Sequence, residues 1–369
     1  MIAQEIRLKN FRNIGEATVT FSPGVNVLFG DNAEGKTNLL EAVYFAAIGK
    51  SFRGQHLSEV ISFGQQEASL SLDFTGADRK QNIYMRLFGN RMKAVEKNKV
   101  RVTRMSELMG AFRAVLFCPE HLSLIKDGPS ERRQYLDIAI SSAEPLYLAS
   151  LQRYNRVLKQ RNALLKTAED RRDTFENTVD VWSAQLAKEA AYIARSRKRY
   201  LDRAAVHVAR CFADMTGERE TPALSYIGPA GRDADYEDTA AVEAYCYEKL
   251  CSRHEREIAA GVTLNGVHRD DVEVLLNGKE ARLYGSQGQQ RSLALAFKLA
   301  EGEVCREDCG EYPVFLLDDV LSELDGNRRR YLIEKIRDKQ VILTTCEAYG
   351  FDAPHTIFVK NGVYTPQNG

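Results

Sequence analysis

Apolar side chains change their period along the chain, and the changes mark out its elements. Ala17, Val19 and Phe21 alternate with polar residues, and the run Val25-Asn-Val-Leu-Phe29 then ends at Gly30. Alternation and a short buried-type run both predict strands. From Lys36 the spacing becomes helical, with Leu39, Leu40, Val43, Tyr44 and Ala47 on one side, so a strand, a glycine-bounded loop and a helix follow one another. Alternation resumes at Ala68, Leu70, Leu72 and Phe74 and at Ile83, Met85 and Leu87, with Gly89-Asn90 as a hairpin turn. This region predicts an antiparallel β layer.

From about residue 120 to 260 the pattern is one of long helices, with Leu151, Tyr154, Val157, Leu158, Trp182, Leu186, Ile193 and Leu201 at helical spacing as the core of a helical lobe. Strand-like sequence returns at Val272-Glu-Val-Leu-Leu276, closed by Asn277-Gly278. A helix over Gly288 to Glu301, a strand Val314 to Leu317, a helix near 327 to 337 and a strand Val341 to Leu343 follow. Strands and helices alternating at both ends around a helical middle predict two lobes. One is an α/β lobe of residues 1–118 and 264–369; the other is a helical lobe of residues 119–263 inserted into it.

The composition of the 369 residues, 44% apolar and 28% charged, is that of a globular chain and excludes disordered and collagen-like classes. No apolar run approaches the roughly 18 residues of a membrane helix, and the N-terminus is charged where a signal peptide would be apolar. A cytoplasmic location without membrane association is expected. Seven scattered cysteines fit a reducing compartment, and only Cys305 and Cys309 approach metal spacing, with no second pair to complete a zinc site. The 51 basic and 51 acidic residues balance, which excludes a chain that coats nucleic acid by bulk charge. Locally they do not: residues 153–210 hold 14 Lys/Arg against 7 Asp/Glu, and residues 214–260 hold 5 against 11. Arg132, Arg133, Arg153, Arg156, Arg161, Arg171, Arg172, Arg195, Arg197, Lys198, Arg199 and Arg203 are the candidate phosphate contacts, or else ordinary charges of helical surfaces.

Gly30, Asp31, Asn32, Ala33, Glu34, Gly35, Lys36 and Thr37 form a full phosphate-binding loop between strand and helix, with Asn38 next in the helix. Glycines let backbone N–H groups turn toward phosphate oxygens, and the helix N-terminus adds its positive dipole end. Lys36 is placed to reach the β- and γ-phosphates and Thr37 to put its hydroxyl on Mg²⁺. Asp318, at the end of the strand Val314-Phe-Leu-Leu317, is the expected second Mg²⁺ residue, and Asp319 the expected water-activating base. A third element, Tyr284-Gly-Ser-Gln-Gly-Gln-Gln-Arg291, is a polar turn opening a helix. It offers a second set of helix N-terminal donors, which the γ-phosphate of a nucleotide held by another copy would use.

These elements, with Ser322-Glu-Leu-Asp325, resemble the Walker A, signature, Walker B and D-loop motifs of ABC-type ATPases. Asn10-Phe-Arg-Asn13, Gly35-Lys-Thr-Asn-Leu-Leu-Glu-Ala42, Ser51-Phe-Arg53, Asp127-Gly-Pro-Ser-Glu-Arg-Arg133, His268-Arg-Asp-Asp271 and Ser286-Gln-Gly-Gln-Gln-Arg291 are similar, in order, to the RecF family. The resemblance implies an ABC-type ATPase head, a mixed β-sheet with an antiparallel β layer and an inserted helical lobe but no long coiled coil. It also implies an ATP-dependent protein of recombinational repair and replication restart. ATP and Mg²⁺ would drive a head-to-tail homodimer on single-stranded or gapped DNA, with RecR as partner, in support of recombinase loading and the SOS response. Ser286, Gly288, Gln289 and Asp325 of one copy would complete the other's site, and Arg12 and Asn13 would lie near the nucleotide. Asp319 stands where ABC transporters carry glutamate, and Thr345 where they carry the switch histidine, so hydrolysis is expected to be weak, DNA-stimulated and switch-like.

A transporter ATPase subunit is the main alternative. It needs a far shorter insertion than the residues between Thr37 and Ser286. The interval from Thr37 to Asp318 is far too short for the long coiled-coil arms of SMC proteins, and no Asn-Lys-x-Asp for guanine is present.

Overall fold

The run Val25–Phe29 is apolar because it belongs to a sheet with helices against both faces. In the computed structural model, which describes residues 1–54, 56–217, 220–346 and 355–367, the chain forms two compact units. The first takes Met1–Leu122 and Arg291–Gly369, with Asp214–Glu218; the second takes Ser123–Ala213 and Arg219–Gln290.

The first unit contains a six-stranded sheet ordered Val363–Gln367, His355–Lys360, Val25–Phe29, Val341–Thr345, Val314–Asp318 and Ala114–Phe117. All neighbours are parallel except the terminal pair 355–360 and 363–367. Asp318 pairs with Thr344 and Thr345 with Phe29, so the chemistry-bearing residues share the carboxyl edge, where α/β sheets bind ligands. A second, antiparallel six-stranded sheet runs Ile14–Thr20, Ile2–Phe11, Glu67–Gly76, Arg79–Phe88, Arg91–Lys97 and Val100–Arg101. Its alternation is the predicted one: Ala68, Leu70, Leu72, Phe74, Ile83, Met85 and Leu87 are buried, and Gly89 and Asn90 form the turn.

The helix Lys36–Ile48 packs against both sheets and is buried on nearly every side, Leu39, Leu40, Val43, Phe45 and Ala46 included. A helix between two sheets has no polar face to keep. It ends at Gly49, whose φ of +73° makes the left-handed cap. On the other face of the parallel sheet the helix Gln287–Cys309 lies against Phe315, so close that a Cβ on Gly302 would sit 2.3 Å from the ring.

In the second unit Pro129–Ala143 and Pro145–Lys166 each start with proline at a first-turn position, and Arg172–Thr216 is a helix of 45 residues. Tyr154, Val157, Leu186, Ile193 and Leu201 are buried, as their spacing requires, while Leu151, Leu158 and Trp182 are half-buried. Residues 264–290, expected with the α/β lobe, cluster instead with the helices. The reason is strand pairing: Asp271–Leu276 lies between Lys279–Glu280 and Pro222–Ile227 in a three-stranded sheet of the second unit. Asn277 and Gly278, with φ of 51° and 76°, form its two-residue turn.

Candidate nucleotide-binding site

Gly30 and Gly35 set the loop's shape. Gly30 has φ +150°, and a Cβ there would meet the Val359 carbonyl oxygen at 2.3 Å; Gly35 has φ +115°. Only glycine takes such positions without strain. The loop curls round Lys36, whose Nζ donates to the carbonyl oxygens of Gly30 and, at 3.0 Å, of Asp31. The ammonium is therefore buried within the loop's own concavity.

Asp318 ends its strand buried, with one oxygen accepting from Thr37 Oγ1 at 2.8 Å and from Thr344 Oγ1 at 2.7 Å. Burial raises the pKa of this carboxyl above its ordinary range, and the two hydroxyls pull it back. A buried carboxylate oxygen beside a threonine hydroxyl is a hard-oxygen pair that suits Mg²⁺, so the residues present fit that ion. Thr344 Oγ1 also accepts from the Asp319 N–H at 2.9 Å. Asp319 itself is exposed and has φ +50°, a left-handed backbone that is uncommon for residues other than glycine but that aspartate adopts more readily than most. Thr37, Asp318, Thr344 and Asp319 thus form one chain of hydrogen bonds.

A collar steadies the loop. Asn38 Nδ2 donates to Asn13 Oδ1 at 2.7 Å, and Arg53 donates to Asn38 Oδ1 at 3.0 Å. Glu34 accepts from the N–H groups of Asn361 and, through its carbonyl, of Gly362 at 2.8 Å, and Tyr364 Oη donates to the Gly35 carbonyl at 2.9 Å. Cys346 Sγ donates to Asn32 Oδ1 at 3.0 Å. Asn13 is beside the loop. Arg12 is engaged elsewhere: its Nε and Nη2 grip Glu41, a fully buried carboxylate, at 3.0 and 2.6 Å, and its Nη1 donates to the Glu59 carbonyl at 2.6 Å. Thr345 ends its strand next to Thr344. Sequence reasoning missed Thr344, Glu41, Tyr364 and Cys346. Thr344 left a signal as half of the Thr344-Thr345 pair, and Glu41 one as part of the motif Gly35 to Ala42.

The signature turn belongs to the second unit. Ser286 and Gln289 make a reciprocal capping box, Gln289 N–H to Ser286 Oγ at 3.3 Å and Ser286 N–H to Gln289 Oε1 at 2.6 Å. Gln289 Nε2 also donates to Glu220. Ser286 remains exposed, Gly288 half-buried, and the preceding Leu283 and Tyr284 are 62% and 71% exposed. In the first unit, Asp325 caps the helix Gly326–Ile336, accepting from the N–H groups of Asn327 at 3.1 Å and Arg328 at 3.0 Å. Those bonds, with the Arg328 guanidinium, lower its pKa. Arg291 and Glu323 pair at 2.5 Å and Arg328 donates to Ser292 at 2.6 Å, which ties the residues after the signature to the D-loop.

The candidate phosphate contacts of the helical lobe are largely consumed. Arg161 pairs with Glu257 at 2.6 Å and Arg197 with Asp270 at 2.9 Å, all four buried. Arg153, Arg172, Arg195, Lys198 and Arg199 pair with Glu189, Glu176 and Glu255, Glu237, Asp202, and Glu237. Arg156 and Arg171 are exposed and carry no ion pair among the described residues. Arg132 holds Asp271 at 2.7 Å, and Arg133 donates to the Asp270 carbonyl at 2.7 Å. His268 bonds Tyr154 Oη at 2.6 Å and the Thr263 carbonyl at 3.0 Å, so Nε2 carries the proton and Nδ1 accepts from the tyrosine. These residues bind the second unit to itself.

The sequence from residue 2 to 363 matches the RecF/RecN/SMC N-terminal domain. It is 38% identical over 350 residues to the DNA replication and repair protein RecF of Ruminiclostridium cellulolyticum, covering 93% of this chain and 92% of that protein. It is equally 38% identical over 361 residues to that of Agathobacter rectalis, covering 98% and 94%. The fold superposes on the recombination mediator RecF with ATP from the RecFOR pathway at a TM-score of 0.93, with 32% identity and 99% and 97% of the two chains covered. An Smc head domain of Pyrococcus furiosus, at 19% identity and a TM-score of 0.58, shares the fold alone. No helix among the described residues is long and apolar enough to cross a membrane. The ABC-type head expected from the motifs is therefore the fold observed, and the chain belongs to the RecF family of DNA replication and repair proteins.

Proposed function

We propose that ATP binding closes two copies of this protein head to tail on single-stranded or gapped DNA, and that slow hydrolysis releases them. The observation that carries this reading is the signature turn, Ser286 to Gln289, whose leading residues Ser286 and Gln287 are exposed and which is flanked by exposed Leu283 and Tyr284. Exposed apolar side chains beside the start of a helix suit a surface that a second copy covers.

Lys36 and the loop N–H groups would hold the β- and γ-phosphates, and Thr37 and Asp318 would hold Mg²⁺, which neutralises phosphate charge when bound. Ser286, Gly288, Gln289 and Asp325 of the facing copy would close over the γ-phosphate. Asp319 orients water from an exposed, left-handed position, and its carboxylate reaches one methylene less far than glutamate. Thr345 can donate a hydrogen bond but carries no charge. Both features favour slow turnover and a switch. The RecF relatives named for ATP and for the RecFOR pathway support ATP as the nucleotide and RecR as a partner. The proposal extends to roles in recombinase loading, replication restart and the SOS response, in the cytoplasm.

Steady-state hydrolysis measured with and without gapped DNA tests the reading. Slow turnover that DNA stimulates is expected; rapid turnover independent of DNA contradicts it.

A further inference from the structure

The edge of the antiparallel sheet carries a charge concentration that the nucleotide site does not use. Between residues 91 and 104 the chain holds six cations, Arg91, Lys93, Lys97, Lys99, Arg101 and Arg104, against the single carboxylate of Glu96. These residues form the strands Arg91–Lys97 and Val100–Arg101, the last two in the sheet order, and the segment that follows. All but Lys97 are exposed, and Lys97 is half-buried. None of the six makes an ion pair among the described residues, whereas the helical-lobe cations are mostly paired. Apolar surface lies among them: Val100 is 68% exposed, and Phe88, 46% exposed, has Lys93 Nζ 5.0 Å from its ring centroid.

We infer that this edge is the surface that meets the DNA backbone. The inference rests on the DNA-binding reading above and names its surface. Lysines on an edge strand protect it from pairing with another chain; six cations in fourteen residues, none in an ion pair among the described residues, go beyond that need and favour a polyanion. A seven-residue strand spans about 20 Å, along which each DNA strand offers roughly one phosphate per 3.4 Å of axis. Single lysines meet phosphate as point charges without reading bases, so the interaction is independent of sequence. A register shift in the pairing of 79–88 with 91–97, between Arg86 and Leu87, leaves Lys93 as an extra residue, and such bulges re-aim side chains at sheet edges.

The test is fluorescence anisotropy of labelled gapped duplex with ATP present, from 50 to 200 mM salt, comparing wild type, Lys93→Ala/Lys99→Ala/Arg101→Ala and the charge-conserving Lys93→Arg/Lys99→Arg. Each cation withdrawn from a phosphate flattens the plot of log affinity against log salt by about 0.9. The triple variant should therefore lose about 2.7 from its slope and on the order of 100-fold or more in affinity at 0.1 M salt. ATP affinity and Tm should be unchanged, and the charge-conserving variant should bind as wild type. A triple variant with wild-type slope and affinity overturns this surface while leaving DNA binding intact. A wild-type protein that binds no DNA with ATP overturns the functional reading itself.

Discussion

Removing the Arg12 side chain separates two roles for that residue, nucleotide contact and structural counter-ion. Glu41 is fully buried in the helix that follows the phosphate loop, and its carboxylate is held by two nitrogens of Arg12 and by the Ser51 hydroxyl. Breaking a buried pair by removing one partner costs about 3–5 kcal/mol, because the remaining charge is uncompensated. Here the Arg12 side chain is 20% exposed and Ser51 remains, so Arg12→Ala should cost about 2–4 kcal/mol. In a unit of this size that is a fall in Tm of about 5–15 °C, read by scanning calorimetry on the nucleotide-free protein. The double variant Arg12→Met/Glu41→Leu removes both charges and should recover most of the loss. ATP affinity, titrated in parallel, should change little once folding is intact. A Tm within 2 °C of wild type (about 1 kcal/mol or less) together with a tenfold loss of ATP affinity would refute the structural role and restore Arg12 to the nucleotide.

Asp318→Asn removes a carboxylate that burial disfavours, so the nucleotide-free protein should melt at or above the wild-type temperature. The rise in Tm that Mg²⁺ and ATP give the wild type should disappear; a full rise in the variant contradicts the Mg²⁺ assignment. Gly30→Ala places a Cβ 2.3 Å from the Val359 carbonyl at φ +150°, and should cost about 2–4 kcal/mol as well as ATP binding; a Tm equal to wild type rules that out. Acid stability should respond to His268 and Asp270 with opposite signs. Burial lowers the His268 pKa from 6.5 to about 4, so the stability it contributes is present above pH 6.5 and is lost as pH falls through 4, up to about 3 kcal/mol. Burial raises the Asp270 pKa from 3.8 to about 6, so its contribution is present at low pH and is lost as pH rises through 6. In urea titrations from pH 7 to 4.5, His268→Gln should flatten the acid loss and Asp270→Asn should steepen it. Two profiles parallel to wild type would exclude both.

How much of the fold and the site is legible in the sequence follows from how local each determinant is. The phosphate loop was legible because its glycines, Lys36 and Thr37 meet a local backbone requirement, and Asp318 because a carboxylate ends an apolar run. Asn277-Gly278 fixed its hairpin for the same reason. The fates of Arg161 and Arg197 were not legible. They sit in basic helical stretches that resemble a solvated face, and the carboxylates that bury them lie 96 and 73 residues away. Arg12 is similar, since Glu41 gives no sequence sign that it is inside. Residues 264–290 were misplaced because strand pairing, which periodicity does not encode, attaches them to Pro222–Ile227. Of the adjacent threonines, strand register alone puts Thr344 opposite Asp318.

The claim that ATP joins two copies through the signature turn is tested most directly by sedimentation of the wild type, Lys36→Arg and Ser286→Arg, each with and without ATP and Mg²⁺. Only the wild type should sediment as a dimer, and only with nucleotide: Lys36→Arg impairs the phosphate site, and Ser286→Arg obstructs the facing surface while leaving ATP binding in place. Dimers in all three proteins regardless of nucleotide would contradict it.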